Sequence, residues 1–197
     1  MHMSGTPILV SSLGRTIAAA GVVILAGNTF GAGCLHAQSA QPYSVQLAAL
    51  FTSFDNGGAS VGGVGVEPQF RLNRLYSTEG FGALSLGIGG QFTSHSRGGD
   101  KLRISGLFFE PRYVPALGSN TIFPYVSARL SFLRQSNNFD APSTSGTGFG
   151  AGGGVAIKLT RTINLDAGVQ LVRQKFGELE PFTTYTAKAG FSAGFPR

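Results

Sequence analysis

Little in this sequence is suited to breaking bonds. Three histidines, one cysteine and nine carboxylates are spread over 197 residues. His2, Cys34 and His36 fall within the first 37, which leaves His95, in Ser94-His95-Ser96-Arg97. A Ser–His couple acts as nucleophile and base only with a third group to orient it. The glycines and serines around His95 read instead as an exposed loop, with His95 an ordinary loop residue. Glu178-Leu179-Glu180 supplies two carboxylates where calcium takes roughly six to eight oxygens, so no metal site is expected. The glycine run Gly146–Gly154 has no following Lys-Ser pair and opens no helix, which removes a phosphate loop. No cofactor is expected, and catalysis is not the reading these residues favour.

Eight charged residues do follow a pattern: Glu67, Arg71, Glu110, Arg112, Arg129, Lys158, Asp166 and Lys188. Each sits in a segment of about ten residues in which apolar side chains alternate with small or polar ones, and each falls in the polar phase. Period-two alternation is the signature of a strand with one apolar and one wet face. If the wet faces line a narrow lumen, these ions should pair across it, because an unpaired ion away from bulk water is costly.

The elements that must hold them are eight strands. The first is expected over Tyr43–Phe54 and the second over Gly62–Leu72, where Val64, Val66, Pro68, Phe70 and Leu72 oppose Gly63, Gly65, Glu67, Gln69 and Arg71. The third is Phe81–Thr93 and the fourth Leu102–Val114. On the fourth, Leu102, Ile104 and Phe108 start in the outward phase and Phe109, Pro111 and Tyr113 end in it, which predicts a bulge at the Phe108-Phe109 pair. The fifth is Ile122–Arg134; the sixth runs through Phe149 to Leu159, the seventh through Leu165 to Leu171 and the eighth through Tyr185 to Phe195. Between them, 55–60, 94–100, 135–147 and 177–182 read as loops at one end, and 73–80, 115–121 and 160–162 as turns at the other, all rich in Gly, Ser, Asn, Asp and Pro. Aromatics gather near strand ends: Tyr43, Phe70, Phe81, Tyr113, Phe123 and Phe195 in one girdle, Phe51, Phe92, Phe132, Phe149, Phe176 and Tyr185 in the other. Val66-Glu67-Pro68-Gln69-Phe70 recurs as Phe109-Glu110-Pro111-Arg112-Tyr113, one hairpin pair later.

Ahead of the strands, Arg15 precedes the apolar run Ile17–Gly27, and small residues follow to Ala37-Gln38-Ser39-Ala40. This is a secretory signal peptide over residues 1–37, with cleavage between 37 and 40; the run is too short to cross a membrane as a helix. A lipidated Cys34 after Gly31-Ala32-Gly33 is the rival reading. Removing the leader takes Arg15 and leaves a surplus of about five positive charges. No basic cluster appears, so nucleic acid is not a partner, and the surplus reads as scattered solvated charge more than as a dedicated lipid contact.

On this strand grammar, on Pro124-Tyr125-Val126 opening a strand, on the two Glu-Pro motifs and on the closing strand, the chain resembles the eight-stranded outer-membrane β-barrel superfamily that includes OmpA-like and OmpX-like proteins. The resemblance covers Gln41 to Arg197. It implies an all-β, antiparallel up-and-down transmembrane barrel in the bacterial outer membrane, with lipid and lipopolysaccharide around it, monomeric and non-enzymatic, with a structural or loop-mediated binding role in the cell envelope. It also implies that Tyr185, Phe191 and Phe195 form an assembly signal read by the barrel-assembly machinery; here Phe195 is followed by Pro196 and Arg197 rather than ending the chain. Such a barrel is just wide enough for its own side chains, so a wide pore is not expected. Two alternatives are a lipid- or peptide-modifying enzyme at the rim and a soluble ligand-binding barrel of the lipocalin kind, with apolar residues inside.

Overall fold

The computed structural model describes residues 41–56, 59–78, 81–97, 100–117, 119–137 and 143–195. The expected leader, Cys34 and the cleavage region lie outside the described residues. Alternating side chains extend the backbone into eight strands: β1 (Tyr43–Asn56), β2 (Ala59–Thr78), β3 (Gly82–Arg97), β4 (Asp100–Pro115), β5 (Ile122–Asn137), β6 (Thr144–Lys158), β7 (Ile163–Phe176) and β8 (Phe182–Phe195). Each pairs antiparallel with the next, and β1 pairs with β8 from Tyr43↔Phe195 to Phe54↔Thr184, closing the sheet. The end where β1 begins and β8 stops is called lower here, and the opposite end upper.

Several strands outrun their expected limits. β2 continues through most of the expected turn 73–80, and β3 reaches Arg97, so Ser94–Arg97 is strand rather than loop. β6 starts at Thr144, inside the expected loop 135–147. The residues involved have loop-like composition, but in a closed sheet a neighbour is always present to take the backbone hydrogen bonds, so pairing continues where composition alone would end it.

The expected bulge on β4 is absent. Register is unbroken from Gly82↔Pro115 to Arg97↔Asp100 against β3, and keeps one offset against β5. Ile104 and Phe108 therefore point inward, and Leu107 and Phe109 outward. A register shift lies instead on β2 between Leu72 and Tyr76. Phe123 and Phe176, expected in the two girdles, also face inward and are buried. Each inward ring has its own packing: Phe176 joins an apolar cluster at the upper end, Phe108 lies against Arg129 at mid-height, and Phe123 is buried at the lower end of β5, so none requires a change of strand parity.

The distribution of polarity is the reverse of a soluble domain. Leu47, Phe51, Val64, Val66, Phe92, Leu130, Phe132, Phe149, Val169 and Leu171 are exposed on the outside, while Glu67, Arg71, Glu110, Arg112, Arg129, Asp166 and Lys188 are buried inside. Apolar area of this extent is stable against hydrocarbon and not against water. Leu86→Arg, an outward substitution midway between the exposed rings of Phe81 and Phe92, should cost about 2–4 kcal/mol, the penalty for arginine at the bilayer midplane. Urea titration of the barrel in lipid vesicles checks this; an unchanged midpoint would mean that β3 does not face lipid.

Candidate functional site

The lumen is filled in layers. Strand parity sends Glu67, Gln69 and Arg71 inward from β2, Glu110 and Arg112 from β4, Tyr125 and Arg129 from β5, Asp166 and Gln170 from β7, and Lys188 from β8. β3, between β2 and β4, contributes Ala83, Ser85, Gly87 and Gly89. A Cβ added at Gly87 would meet the Gln69 amide, and would lie 2.8 Å from Arg71 Nη2. The side chain missing there is what lets Arg71 cross to β4.

At the centre lies Glu110, fully buried and contacted by four cations. Arg71 Nη2 donates to its Oε1 at 2.8 Å, and Arg112 Nη2 to the same oxygen at 3.3 Å. Lys188 Nζ lies 2.8 Å from Oε2 and Arg129 Nη1 3.6 Å from it. Two further carboxylates share the load. Arg129 Nη1 donates to Glu67 Oε2 at 2.6 Å, with Lys188 Nζ 3.4 Å from Glu67 Oε1, and Arg112 Nη1 donates to Asp166 Oδ2 at 2.6 Å. Seven of the eight charged residues singled out from the sequence thus form one network. Lys158, at the lower end of β6, is half-buried and takes no part in the ion pairs among the described residues.

Neutral groups complete it, and nothing but their inward phase marks them in the sequence. Tyr125 Oη donates to Asp166 Oδ1 at 2.8 Å, and Gln170 Nε2 donates to Glu110 Oε2. Arg129 also donates to Gln170 Oε1 and Gln91 Oε1, and Arg71 to Ser85 Oγ and Gln69 Oε1. The guanidinium carbon of Arg112 stands 3.7 Å from the Tyr125 ring centroid, and that of Arg129 3.6 Å from the Phe108 centroid. Each stack covers one face of a planar cation whose Nη groups are bonded to carboxylates. Gly154 and Gly168 form the floor under Tyr125: a Cβ at either would come within 2.6 Å of its hydroxyl.

Above the network is an apolar cap. Ile104, Leu133 and Phe176 cluster with Leu102 and Phe182, and Phe54 packs edge-on to His95. His95 is therefore buried rather than in an exposed loop; its Nε2 is 2.8 Å from Thr52 Oγ1. Ser94 and Ser96 alternate to the opposite face of β3, so the sequence-adjacent Ser–His couple is not assembled. Below the network, a cavity of about 60 Å³ is lined by Gln46, Arg71, Ser85, Arg112, Asn164 and Asp166, among others.

Tyr185, Phe191 and Phe195 stand in one outward row on β8 and are exposed. A polar, charged lining with an apolar exterior is the opposite of what a soluble lipid carrier requires.

The sequence matches no protein-family model, and comparison with curated proteins finds no match. Solved structures do match. Neisserial surface protein A aligns over 78% of this chain and 97% of its own, with a TM-score of 0.69 at 19% identity. This is the fold of an eight-stranded outer-membrane barrel. Ail, the attachment invasion locus protein of Yersinia pestis, solved with the heparin analogue sucrose octasulfate, aligns over the same shares at a TM-score of 0.50 and 12% identity. At such identities the likeness carries architecture and no residue roles.

Proposed function

We propose that this outer-membrane barrel is a structural element of the bacterial envelope, closed to solutes, that holds phosphorylated outer-leaflet lipid on one side of its upper rim. The observation that carries the first part is the filled lumen: an ion-pair network spans it from β2 to β8, and an apolar cap closes the end above. The upper end then faces outside, and the β8 row Tyr185, Phe191 and Phe195 is the surface offered to the assembly machinery.

The lipid contact rests on where the exposed cations fall. Followed once round the sheet, the registers return to β1 ten residues nearer the upper end, from Tyr43 to Ser53. At constant height each strand therefore steps about one residue below its register partner. Arg103 on β4 registers with Ser136 of β5, two residues above Arg134; Arg134 registers with Ser145 of β6, and Lys175 of β7 with Thr147. The stagger brings Arg103, Arg134 and Lys175 to one height, with Lys101 above and Arg173 below, all five exposed. No carboxylate occupies an outward strand position there among the described residues. Five exposed cations that look scattered along the sequence are gathered on β4–β7, where phosphates of an outer leaflet would lie.

Full-length protein expressed in a Gram-negative host should fractionate with outer membranes and migrate differently in gels before and after boiling. In planar bilayers it should give no steady conductance. Replacing Arg103, Arg134 and Lys175 together by glutamine should lower retention of lipopolysaccharide several-fold while leaving heat-modifiable migration intact. A periplasmic soluble protein, or a constitutively open channel, would defeat the reading.

A further inference from the structure

The lumen network is out of balance. Among the described residues it holds four cations, Arg71, Arg112, Arg129 and Lys188, and three carboxylates, Glu67, Glu110 and Asp166, all of them buried. The deficit falls on Arg71. Arg112 has Asp166 besides Glu110, and Arg129 and Lys188 have Glu67 besides Glu110, whereas Glu110 is the one carboxylate paired with Arg71 among the described residues. An excess buried positive charge is stable only with an anion or with water beside it.

The place for one is the cavity below the network. It is lined by Arg71 and Arg112, and also by Ser44, Gln46, Ser85 and Asn164. Three of these side chains hold buried N–H groups without a protein partner: Arg71 Nε, Arg112 Nε and Gln46 Nε2. All three are donors, which is the complement of an anion and not of a cation. Asp166 also lines the cavity, but its two oxygens already accept from Arg112 and Tyr125, so its charge is largely spent within the protein. The volume of about 60 Å³ exceeds the roughly 10–15 Å³ that one water-sized particle needs and is far too small for a sugar or a lipid headgroup.

We infer that this cavity is a binding site for a small monovalent anion of the chloride class, which enters from the lower end and neutralises the unbalanced cation at Arg71. The bound anion is then a structural component of the lumen network, completing it as a fourth negative charge.

The test uses the refolded full-length barrel in detergent micelles. Its urea midpoint is measured while sodium chloride or bromide replaces sodium gluconate at constant ionic strength, since gluconate is too large for the cavity. The midpoint should rise with either halide and then saturate, as expected for a ligand held by the folded state alone. Crystals soaked in bromide should show one anomalous peak between Arg71 and Arg112. Arg71→Met leaves three cations with three carboxylates and should abolish both signals. Gln46→Leu, which keeps every charge, should weaken the halide response several-fold and so covers the case in which the arginine variant fails to fold. A halide-independent midpoint, or a bromide-soaked cavity holding water only, would overturn the inference, as would an undiminished halide response in Arg71→Met or Gln46→Leu.

Discussion

Glu110→Ala should destabilise the barrel by about 3–5 kcal/mol, the cost of breaking a buried ion pair by removing one partner. The side chain accepts from Arg71, Arg112, Lys188 and Gln170 and lies 3.6 Å from Arg129, so its loss leaves two carboxylates to balance four positive charges in a space with little water. Free energies from urea unfolding in vesicles, set beside planar-bilayer conductance, give the readout. A second substitution should partly restore the loss, and the geometry says which. Sequence phase alone points to Arg112, two residues away, but Arg112 keeps Asp166 at 2.6 Å when Glu110 is gone. Arg71 keeps no carboxylate, so Glu110→Ala with Arg71→Ala should recover more than Glu110→Ala with Arg112→Ala. If the single variant is silent in both stability and conductance, the lumen charges are separately hydrated and there is no plug.

An effect of similar size is expected at the other end of the lumen. Phe176 is fully buried, packs with Ile104 and Leu133, and lies stacked on Phe182 with ring centroids 5.9 Å apart. Phe176→Ala should cost about 3–5 kcal/mol through lost burial and the cavity left behind. It should also thin the cap over the network, so that brief ion-conducting openings become measurable above the wild-type baseline. Phe149→Ala is the control: Phe149 is exposed on the outer face of β6, and its loss removes lipid contact without opening the lumen. Equal, small losses for the two would mean that Phe176 sits in an outer girdle after all.

The same two residues mark how far the sequence was legible. Period-two alternation is a local property, fixed by successive Cβ atoms pointing to opposite faces, and Glu67, Arg71, Glu110, Arg112, Arg129, Asp166 and Lys188 could each be assigned to the wet face from their immediate neighbours. The number of strands and the closing role of β8 followed from the same alternation. Parity misled where either face accepts an aromatic ring: at Phe108, Phe123 and Phe176 the sequence shows only a hydrophobic residue, and lipid outside and packed side chains inside accept it equally well. Composition misled at strand ends, where Ser94-His95-Ser96 reads as loop but the closed sheet supplies β2 and β4 to pair with it.

Local alternation therefore settles the fold class, the strand count and the inward set of charges. Which ion meets which was decided only in three dimensions. Arg129 reaches Glu67 across 62 positions of sequence and Lys188 reaches the same carboxylate across 121. Those meetings depend on the ten-residue stagger accumulated around the closed sheet and on the room left by glycines at 87, 154 and 168. Arg103, Arg134 and Lys175 come level for the same reason. Stagger is a sum of eight pairings and belongs to no single strand, so no local stretch of sequence carries it.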